Sequence, residues 1–435
     1  MAEIAPLQPL RYDPSLLSRV VAPPYDVIDA ALRKELGARH PKNVVHIDLP
    51  EGDGDARYEN ARRLFEEWQA QGVLIRDEEP AFWRYAQTFS PPGGGASLTR
   101  KGFFALVRAV PFSDREVLPH ERTLTGPKLD RMALSRATRA TLSPQFMLYS
   151  DPERALDADL DLGQPFAEFS THDGVSHQLG RIRDQRALAH ITSAIAKSRL
   201  LIADGHHRYE TAVALSEEIE REARAGGASP DVRAEHHYTF ALLANGDDPG
   251  LVVFPTHRLV HSLKDFDFDQ LLERAAELFA VTAVVGDVGE LVAQLARVDG
   301  PTVCSLARGG RAALLRARSD VDFGRHPTLG KRPAVVRKTA VALLHDGLLE
   351  HVLGITPEAQ AAKTNLRYLQ QAGQGSEALE RGEGQVLFLM NPTSVATIRE
   401  VSEAGEVMPQ KSTFFYPKVP TGLFFHTLHP NRVVT

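Results

Sequence analysis

The 435-residue sequence has almost no cysteine, since Cys304 is the only one. A single cysteine cannot form a disulfide within the chain and cannot supply the ligands of a cysteine-based zinc site. Its neighbours in PTVCSLA are mostly apolar. We therefore predict that Cys304 is buried and acts as a small hydrophobic side chain.

Long apolar runs are also absent. No stretch approaches the ~18 uncharged apolar residues that cross a bilayer. The first residues, MAEIAPLQPLRYDP, carry an acid and prolines in place of the apolar segment of a secretory signal. The formal net charge of −6 excludes a globally basic surface for nucleic acid. We expect a cytoplasmic protein with no membrane contact and no strong nucleic-acid signal, and the sequence predicts no oligomeric state.

The composition is 43% hydrophobic and 24% charged, which is typical of a globular chain of two or three domains. Short apolar segments that predict strands, such as NVVHIDLP and RLLIA, alternate with helical segments such as DARYENARRLFEEWQAQGVL. We predict an α/β fold with α+β elements. Its parts are an α/β core over residues 1–250, an inserted two-layer α+β unit over 251–320, and a helical segment with strands that return to the core over 321–435.

The segment LLIADGHHRYETAVAL concentrates polar side chains where a predicted strand meets a predicted helix. Gly205 permits a sharp turn there. His206, His207 and Arg208 then lie in the first helical turn, where backbone amides and the helix dipole already carry positive charge. Cations are unfavourable at that place by a few tenths to about 1 kcal/mol each. The cluster therefore indicates a bound anion, and a phosphate would contact the helix amides and Arg208 together.

Asp204 ends the predicted strand, and the residues alone leave its role open. It could cap the helix, orient a histidine or hold a cation on a nucleotide phosphate. A structural alternative makes Asp204 a plain cap, with the histidines in solvent or stacked on Tyr209. A further alternative is a zinc or iron centre, whose ligands would be Asp204, His206 or His207, His120, and His236 or His237. Adjacent histidines point to different sides of a helix start, which disfavours this centre.

Three more polar clusters stand out. The first, LPHERTLTGPKLDR, contains His120, Glu121, Arg122, Lys128, Asp130 and Arg131. The second, MPQKSTFFYPK, contains Lys411, Ser412, Thr413 and Lys418. The third, APPYDV, places Asp26 at the end of a predicted strand, where α/β ligand sites gather. Glu121 could act as a general base with Arg122 or Lys128 on a phosphate. A charged surface loop explains the first cluster equally well, and the sequence alone favours a polar turn before an edge strand for the second.

Several of these segments resemble motifs of a family of uncharacterised proteins, the domain of unknown function 1015 family. They are APPYDVI, HPKNVVHIDLP, HERT with PKLDR, SPQFMLY, IADGHHRYETA, FPTHRLV, LFLMNPT and MPQKSTFFYPK. They occur in the same order and extend over nearly the whole chain, so the resemblance is specific.

More distantly, DGHHR resembles the phosphate-contacting box of the ParB/sulfiredoxin superfamily. That superfamily includes nucleotide-binding partition proteins, sulfinic-acid reductases that use ATP, and kinases of free serine. The resemblance implies a ParB/sulfiredoxin-like mixed core in which Gly205, His206, His207 and Arg208 hold phosphate. Asp204 would assist catalysis or bind Mg²⁺. His206 stands where sulfiredoxins carry their cysteine, so sulfinic-acid reduction is not expected.

We therefore predict an enzyme that transfers a phosphoryl group from ATP or ADP, with Mg²⁺, to a small hydroxyl compound, free serine being implied by the resemblance. Asp204, His206, His207, Glu121 and Asp26 would be catalytic. The expected phosphate and nucleotide contacts are Gly205, Arg208, Arg122, Lys128, Arg131, Lys411, Ser412 and Thr413. The expected substrate contacts are Tyr25, His120 and Tyr209. The alternatives are a metal-dependent hydrolase that uses the histidines and a nucleotide sensor without catalysis.

Overall fold

A computed structural model describes residues 1–91, 94–123, 125–161 and 163–435. The chain divides into two compact units. The first unit is formed by Met1–Pro119, Thr123–Val252 and Pro417–Thr435, and the second by His120–Arg122 and Val253–Tyr416. Residues 321–416 belong to the same unit as residues 253–320, because strands from both segments pair in one sheet.

The first unit contains most of the strands. They are β1 (Ile4–Ala5), β2 (Leu10–Arg11), β3 (Ile75–Arg76), β4 (Phe82–Phe89), β5 (Leu98–Arg108), β6 (Val117–Leu118), β7 (Ala140–Thr141), β8 (Gln145–Tyr149), β9 (Ala167–Ser170), β10 (Ser176–Ile182), β11 (Leu200–Asp204) and β12 (Tyr238–Asn245).

A mixed sheet of order β6-β11-β8-β12-β5-β4-β10-β9 organises this unit, and β1 pairs with β5. β12 runs parallel to β8 and antiparallel to β5. Both faces of the sheet are covered, since every residue of β8 and β12 is buried. Phe103, Met147 and Ile202 belong to the core on one face, and Trp83 packs on Phe424 with ring centroids 4.7 Å apart. The mixed α/β class predicted from the sequence is thus confirmed.

The helices of the first unit surround this sheet. They are α1 (Leu17–Val20), α2 (Ala30–Arg39), α3 (Val45–Asp48), α4 (Ala56–Ala70), α5 (Thr125–Thr138), α6 (Gln185–Ile195) and α7 (His206–Ala225), with single 3-10 turns at Tyr25–Val27 and Glu235–His237 among others. Met132 of α5 packs against Leu215 and Ile219 of α7. Asp29 caps α2 by accepting a hydrogen bond from the backbone nitrogen of Leu32 at 2.8 Å.

The strand predicted for NVVHIDLP is wrong, because this segment forms the short helix α3. The side chain of Asn43 accepts a hydrogen bond from the backbone nitrogen of Val45 at 3.0 Å and starts the turn. Val44, Val45 and Ile47 are fully buried. Because these residues are buried on every side, the segment lacks the alternation of apolar and polar residues that distinguishes a strand from a helix. The helix ends at Asp48.

The second unit has its own strands and helices. The strands are β13 (Val252–Phe254, at the unit boundary), β14 (His257–Val260), β15 (Phe279–Val284), β16 (Thr302–Ala307), β17 (Ala312–Ala317), β18 (Leu366–Leu369), β19 (Val386–Met390) and β20 (Phe414–Tyr416). The helices are α8 (Phe268–Ala275), α9 (Val288–Ala296), α10 (Ala334–Arg337), α11 (Ala340–Ala342), α12 (Pro357–Ala362), α13 (Ala372–Glu380) and α14 (Val395–Glu403), with a π-helix at Leu343–Val352.

An antiparallel sheet of order β15-β17-β16-β19-β14-β18 forms the centre of the second unit. One face packs on the π-helix, where Leu344 and Leu348 join the core. The other face includes Cys304 and packs against Leu291 of α9 and Ala378 of α13. Cys304 is fully buried, and burial raises the pKa of its thiol to about 12, so its predicted hydrophobic role is confirmed.

A last short strand, β21 (His426–Thr427), pairs with β7 in the first unit. None of the helices in the described parts of the chain has both the length and the apolarity that crossing a membrane requires.

Candidate functional site

The turn between β11 and α7 is built around Gly205. β11 is buried up to Asp204, which is half-buried. Gly205 adopts φ 95° and ψ 30°, a left-handed conformation that glycine adopts without strain. A Cβ atom at this position would lie 3.0 Å from Cζ of Arg208. Glycine is therefore required both for the backbone turn and for the close approach of the Arg208 guanidinium.

Arg208 folds back over the start of its own helix and is only 8% exposed. Its Nη2 donates to Oδ2 of Asp204 at 2.5 Å. Its Nη1 donates to Oγ of Ser143 at 3.0 Å and to the carbonyl of Pro144. Asp204 therefore supplies a negatively charged partner for Arg208 from within the protein. The charge pattern of the segment predicts a bound anion as that partner.

Lys418 completes an ion-pair chain with these two residues, because its Nζ contacts Oδ1 of Asp204. The backbone around Lys418 is held from the main sheet. Nε2 of Gln87 donates to the carbonyl of Lys418 at 3.0 Å, and Nη2 of Arg100 donates to the carbonyl of Pro417 at 2.7 Å. Arg100 is itself buried against the Phe146 ring, 4.4 Å from its centroid, and burial lowers its pKa to about 10.

A small hollow opens beside Arg208, and we call it the Asp48 hollow. Its polar lining consists of Asp48, Arg131, Ser135, Thr141, Ser143, Arg208 and Thr211. Asp48 and Arg131 are 3% and 5% exposed, and Nη1 of Arg131 donates to Oδ1 of Asp48 at 3.1 Å. Burial raises the pKa of Asp48, although the charges of Arg131 and Arg208 oppose this shift. Oγ1 of Thr211 is buried and has no hydrogen-bond partner within the described part of the chain.

Arg131 is fixed from two further sides. Nη2 of Arg131 donates to Oδ2 of Asp130 at 2.6 Å, and its guanidinium lies over the Tyr25 ring, 4.3 Å from the centroid. Burial raises the pKa of Tyr25 to about 12. Asp26, next in the same 3-10 turn, is exposed. The PYD, HIDLP, PKLDR and DGHHR segments therefore converge around Arg131 and Arg208.

Lys418 also lines a second hollow, the His177 hollow, together with Pro23, Arg39 and Thr171. His177 is buried between its partners: Nδ1 lies 2.7 Å from the Tyr85 hydroxyl and Nε2 lies 2.8 Å from Oγ1 of Thr171. Burial lowers the pKa of His177 to about 4. The Lys418–Asp204–Arg208 ion pairs thus connect one hollow to the other.

Other predicted residues of the first unit have different surroundings. Tyr209 is fully buried, and its hydroxyl donates to the carbonyl of Val110 at 2.9 Å, so its polar atom faces the protein interior. Lys128 pairs with Glu210 at 2.8 Å. His206 and His207 are half-buried in the first turn of α7.

Six predicted residues lie in the second unit, namely His120, Glu121, Arg122, Lys411, Ser412 and Thr413. Two sequence clusters meet there, since Nε2 of His120 lies 2.8 Å from Oγ1 of Thr413. The Glu121 backbone forms a bridge with Met408.

The other members of this second-unit group have their own surroundings. Arg122 is exposed, and Ser412 is buried and donates to the carbonyl of Pro409. The carbonyl of Lys411 accepts a hydrogen bond at 3.0 Å from Nη2 of buried Arg258.

The structure separates residues that the sequence suggested as ligands of one metal ion. Among the described residues, His236 and His237 group with Glu220, and a second group consists of Glu277, His326 and His351. Asp204 adjoins the start of α7, and Glu220 lies fourteen residues beyond His206 in that helix, a separation of about 21 Å along the axis. His236 and His237 therefore cannot share an ion with Asp204.

Sequence reasoning missed Asp48 and gave Lys418 no role in the site. The wrong strand prediction for NVVHIDLP gave no reason to place Asp48 in the site. The feature that could have indicated it is the HIDLP motif, in which an acid follows a buried apolar run. Lys418 stands in the YPK end of a cluster that otherwise belongs to the second unit, so no local pattern linked it to Asp204.

The family model described as a protein of unknown function, DUF1015, matches residues 4–343. No curated protein matches the chain.

Three solved structures are similar to the chain at low identity. A conserved hypothetical protein from Pyrococcus furiosus has 14% identity, a TM-score of 0.35, and coverage of 71% of this chain and 91% of that chain. A free serine kinase in complex with AMP has 13% identity, a TM-score of 0.35, and coverage of 71% and 89%. SbnI with C-terminal truncation from Staphylococcus aureus has 13% identity, a TM-score of 0.36, and coverage of 75% and 87%.

Proposed function

The chain belongs to the DUF1015 family of proteins of unknown function, and we propose that this member is a nucleotide-dependent phosphotransferase with a small hydroxyl compound as acceptor. One observation carries the proposal: the buried carboxyl of Asp48 lies in one hollow with the buried guanidinium groups of Arg131 and Arg208. A base next to fixed positive charge is the arrangement that phosphoryl transfer needs.

The two arginines supply the positive charge. Guanidinium groups are the side chains best suited to phosphate oxygens, and they keep their charge when buried. Both are pre-positioned, Arg208 by Ser143 and Asp204, and Arg131 by Asp130 and stacking on Tyr25. Ordered donors of this kind stabilise charge in a transition state without having to reorganise. Lys418, at the other end of the ion-pair chain, is the third cation near this place.

Asp48 is the group that we assign as general base. Its raised pKa makes it a stronger base than an exposed aspartate. In the proposed step, Asp48 accepts the acceptor's hydroxyl proton as the hydroxyl oxygen attacks the terminal phosphorus. The bond from that phosphorus to the bridging oxygen breaks, and the shortened nucleotide leaves with the electron pair. Thr211, whose hydroxyl lines the same hollow, would orient the acceptor.

Mg²⁺ is expected with nucleotide substrates, but Asp204 does not suit it here. Each oxygen of that carboxylate already contacts a cationic nitrogen, Oδ1 from Lys418 and Oδ2 from Arg208. We therefore assign Asp204 to positioning these two cations and route no step through a metal. Asp26, which neighbours Tyr25 in the same turn, is the second carboxylate that we propose near the site.

The test is a turnover assay with ATP or ADP and a panel of small hydroxy compounds that includes free serine. We expect a phosphorylated product, detected by phosphorus NMR. Arg208→Lys should lower turnover by at least about tenfold, measured at a temperature at which circular dichroism shows the variant to be folded. Arg221→Lys, an exposed arginine on the same helix, is the matched control and should be unchanged.

Two results separate the alternatives. A nucleotide that binds but is not consumed with any acceptor would indicate a sensor and contradict the transferase. Equal turnover in the Arg208→Lys variant and the wild type would show that phosphoryl transfer does not take place in the Asp48 hollow.

A further inference from the structure

A second group of chemically reactive side chains lies near the other end of α7. Glu220 belongs to this helix, and His236 and His237 come from the 3-10 turn that precedes β12. Oε2 of Glu220 lies 3.0 Å from Nε2 of His236 and 3.5 Å from Nε2 of His237. Two imidazole nitrogens and a carboxylate oxygen therefore converge on one point.

The two distances from Oε2 of Glu220 match those around a tetrahedral ion, and all three ligand atoms lie within 4.8 Å of one another. Zinc lies about 2.0–2.1 Å from its nitrogen and oxygen ligands, which places neighbouring ligand atoms about 3.3 Å apart. The two distances from Glu220 to the histidines, 3.0 and 3.5 Å, bracket this value. A single hydrogen bond between His236 and Glu220 would explain the first contact, but it leaves the second imidazole nitrogen directed at the same oxygen.

The surrounding residues hold the ligands in place. Nε of Arg224 donates to Oε1 of Glu220 at 2.6 Å, which leaves Oε2 directed at the histidines. Oγ of Ser216 lies 3.3 Å from Nδ1 of His237. Metal-binding histidines commonly use their second ring nitrogen in this way, and such contacts fix the ring orientation. The His236 side chain is fully buried, and those of His237 and Glu220 are 19% and 18% exposed, so an ion would have access from solvent.

We propose that Glu220, His236 and His237 form a binding site for a divalent transition-metal ion of the zinc type. Imidazole and carboxylate ligands favour zinc over calcium or magnesium. With three protein ligands, the fourth position would hold water. The ion would tie α7 to the segment that leads into β12, and this site is independent of the proposed phosphotransfer.

The other histidine group, Glu277, His326 and His351, serves as an internal comparison. There Nδ1 of His326 lies 3.3 Å from the backbone nitrogen of Leu329, from which it accepts a hydrogen bond. The proton of a neutral ring is then on Nε2, so that nitrogen is not available as a ligand. We therefore assign no metal to this group.

The test uses the full chain, freed of metal by a chelator, incubated with Zn²⁺ and dialysed. We expect about one zinc ion per chain by elemental analysis, a higher melting temperature with zinc than without, and visible absorption of a tetrahedral site with Co²⁺. Glu220→Gln and His237→Gln should each reduce bound zinc by more than about tenfold. Circular dichroism checks that each variant folds. If the Glu220→Gln variant does not fold, zinc binding by the His237→Gln variant tests the site on its own.

Two matched controls locate the binding. Glu222→Gln changes an exposed acid on the same helix, and His351→Gln changes the other histidine group; neither should alter bound zinc. Absence of bound zinc in the wild type would overturn the proposal. Unchanged zinc in folded Glu220→Gln and His237→Gln variants, or equal loss in either control, would also overturn it.

Discussion

The Nζ atom of Lys418 contacts Oδ1 of Asp204 across 214 residues of sequence. The other oxygen of Asp204 is held by Arg208. One carboxylate therefore orders a lysine from the C-terminal segment and an arginine from the start of α7. Each of the three side chains is at most 16% exposed, so these ion pairs are less screened by solvent than surface pairs.

We predict that Lys418→Met lowers the free energy of unfolding by about 1–3 kcal/mol, because it removes one partner of a largely buried carboxylate. Urea denaturation measures the change. Lys197→Met replaces an exposed lysine and should have an effect below about 0.5 kcal/mol. Equal effects of the two substitutions would show that the pair does not stabilise the fold.

Gly205→Ala tests whether the close approach of Arg208 matters beyond the backbone angle. The left-handed φ alone costs an alanine about 1–2 kcal/mol, and the added Cβ would also displace the guanidinium 3.0 Å away. Gly227→Ala has a similar φ of 82° with open space around the Cβ position. We expect Gly205→Ala to be more destabilising than Gly227→Ala in urea denaturation. Equal losses would mean that Arg208 rearranges freely.

Local sequence patterns predicted the strand, turn and helix around Gly205, because each depends on neighbouring residues. The direction of the Arg208 side chain could not be predicted in this way. It depends on Ser143 and Pro144, which adjoin a different strand. The sequence shows the concentration of positive charge in this segment, but only the turn geometry shows that Asp204 pairs with Arg208.

The contact between His120 and Thr413 shows the same limit in the second unit. The two residues belong to polar clusters of the sequence and lie 293 positions apart, and no period or spacing joins them. Helix α3 shows a different limit. Its β-branched residues favour a strand intrinsically, and only burial on every side together with the Asn43 turn makes the segment helical.

His177 should make stability depend on pH. Burial lowers its pKa from 6.5 to about 4, so the folded protein keeps it neutral where the unfolded chain is protonated. The contribution of neutral His177 to the free energy of unfolding is present above pH 6.5 and is lost as the pH falls towards 4. We expect this residue to reduce the free energy of unfolding by about 2 kcal/mol between pH 7 and pH 5.

Urea denaturation at both pH values, on wild type and His177→Gln, measures this contribution. The variant should show the smaller decrease on acidification. His190→Gln replaces a half-exposed histidine and serves as the control. If His177→Gln and wild type lose the same stability between the two pH values, His177 is protonated in the folded protein and the assignment fails.

Asp48→Asn tests the proposed base most directly, because asparagine keeps the shape of the side chain but cannot accept the acceptor's proton. Loss of a general base lowers turnover by about 10²–10⁴-fold, and nucleotide affinity should stay close to wild type. Since the pKa of Asp48 is raised, wild-type turnover should fall on acidification at a pH above the usual range of an aspartate. The residual activity of the variant should lack this dependence.

Asp53→Asn, at an exposed aspartate, controls for loss of charge. A variant that turns over at the wild-type rate with the same pH profile would exclude Asp48 as the base, and would leave Asp26 as the carboxylate to test next.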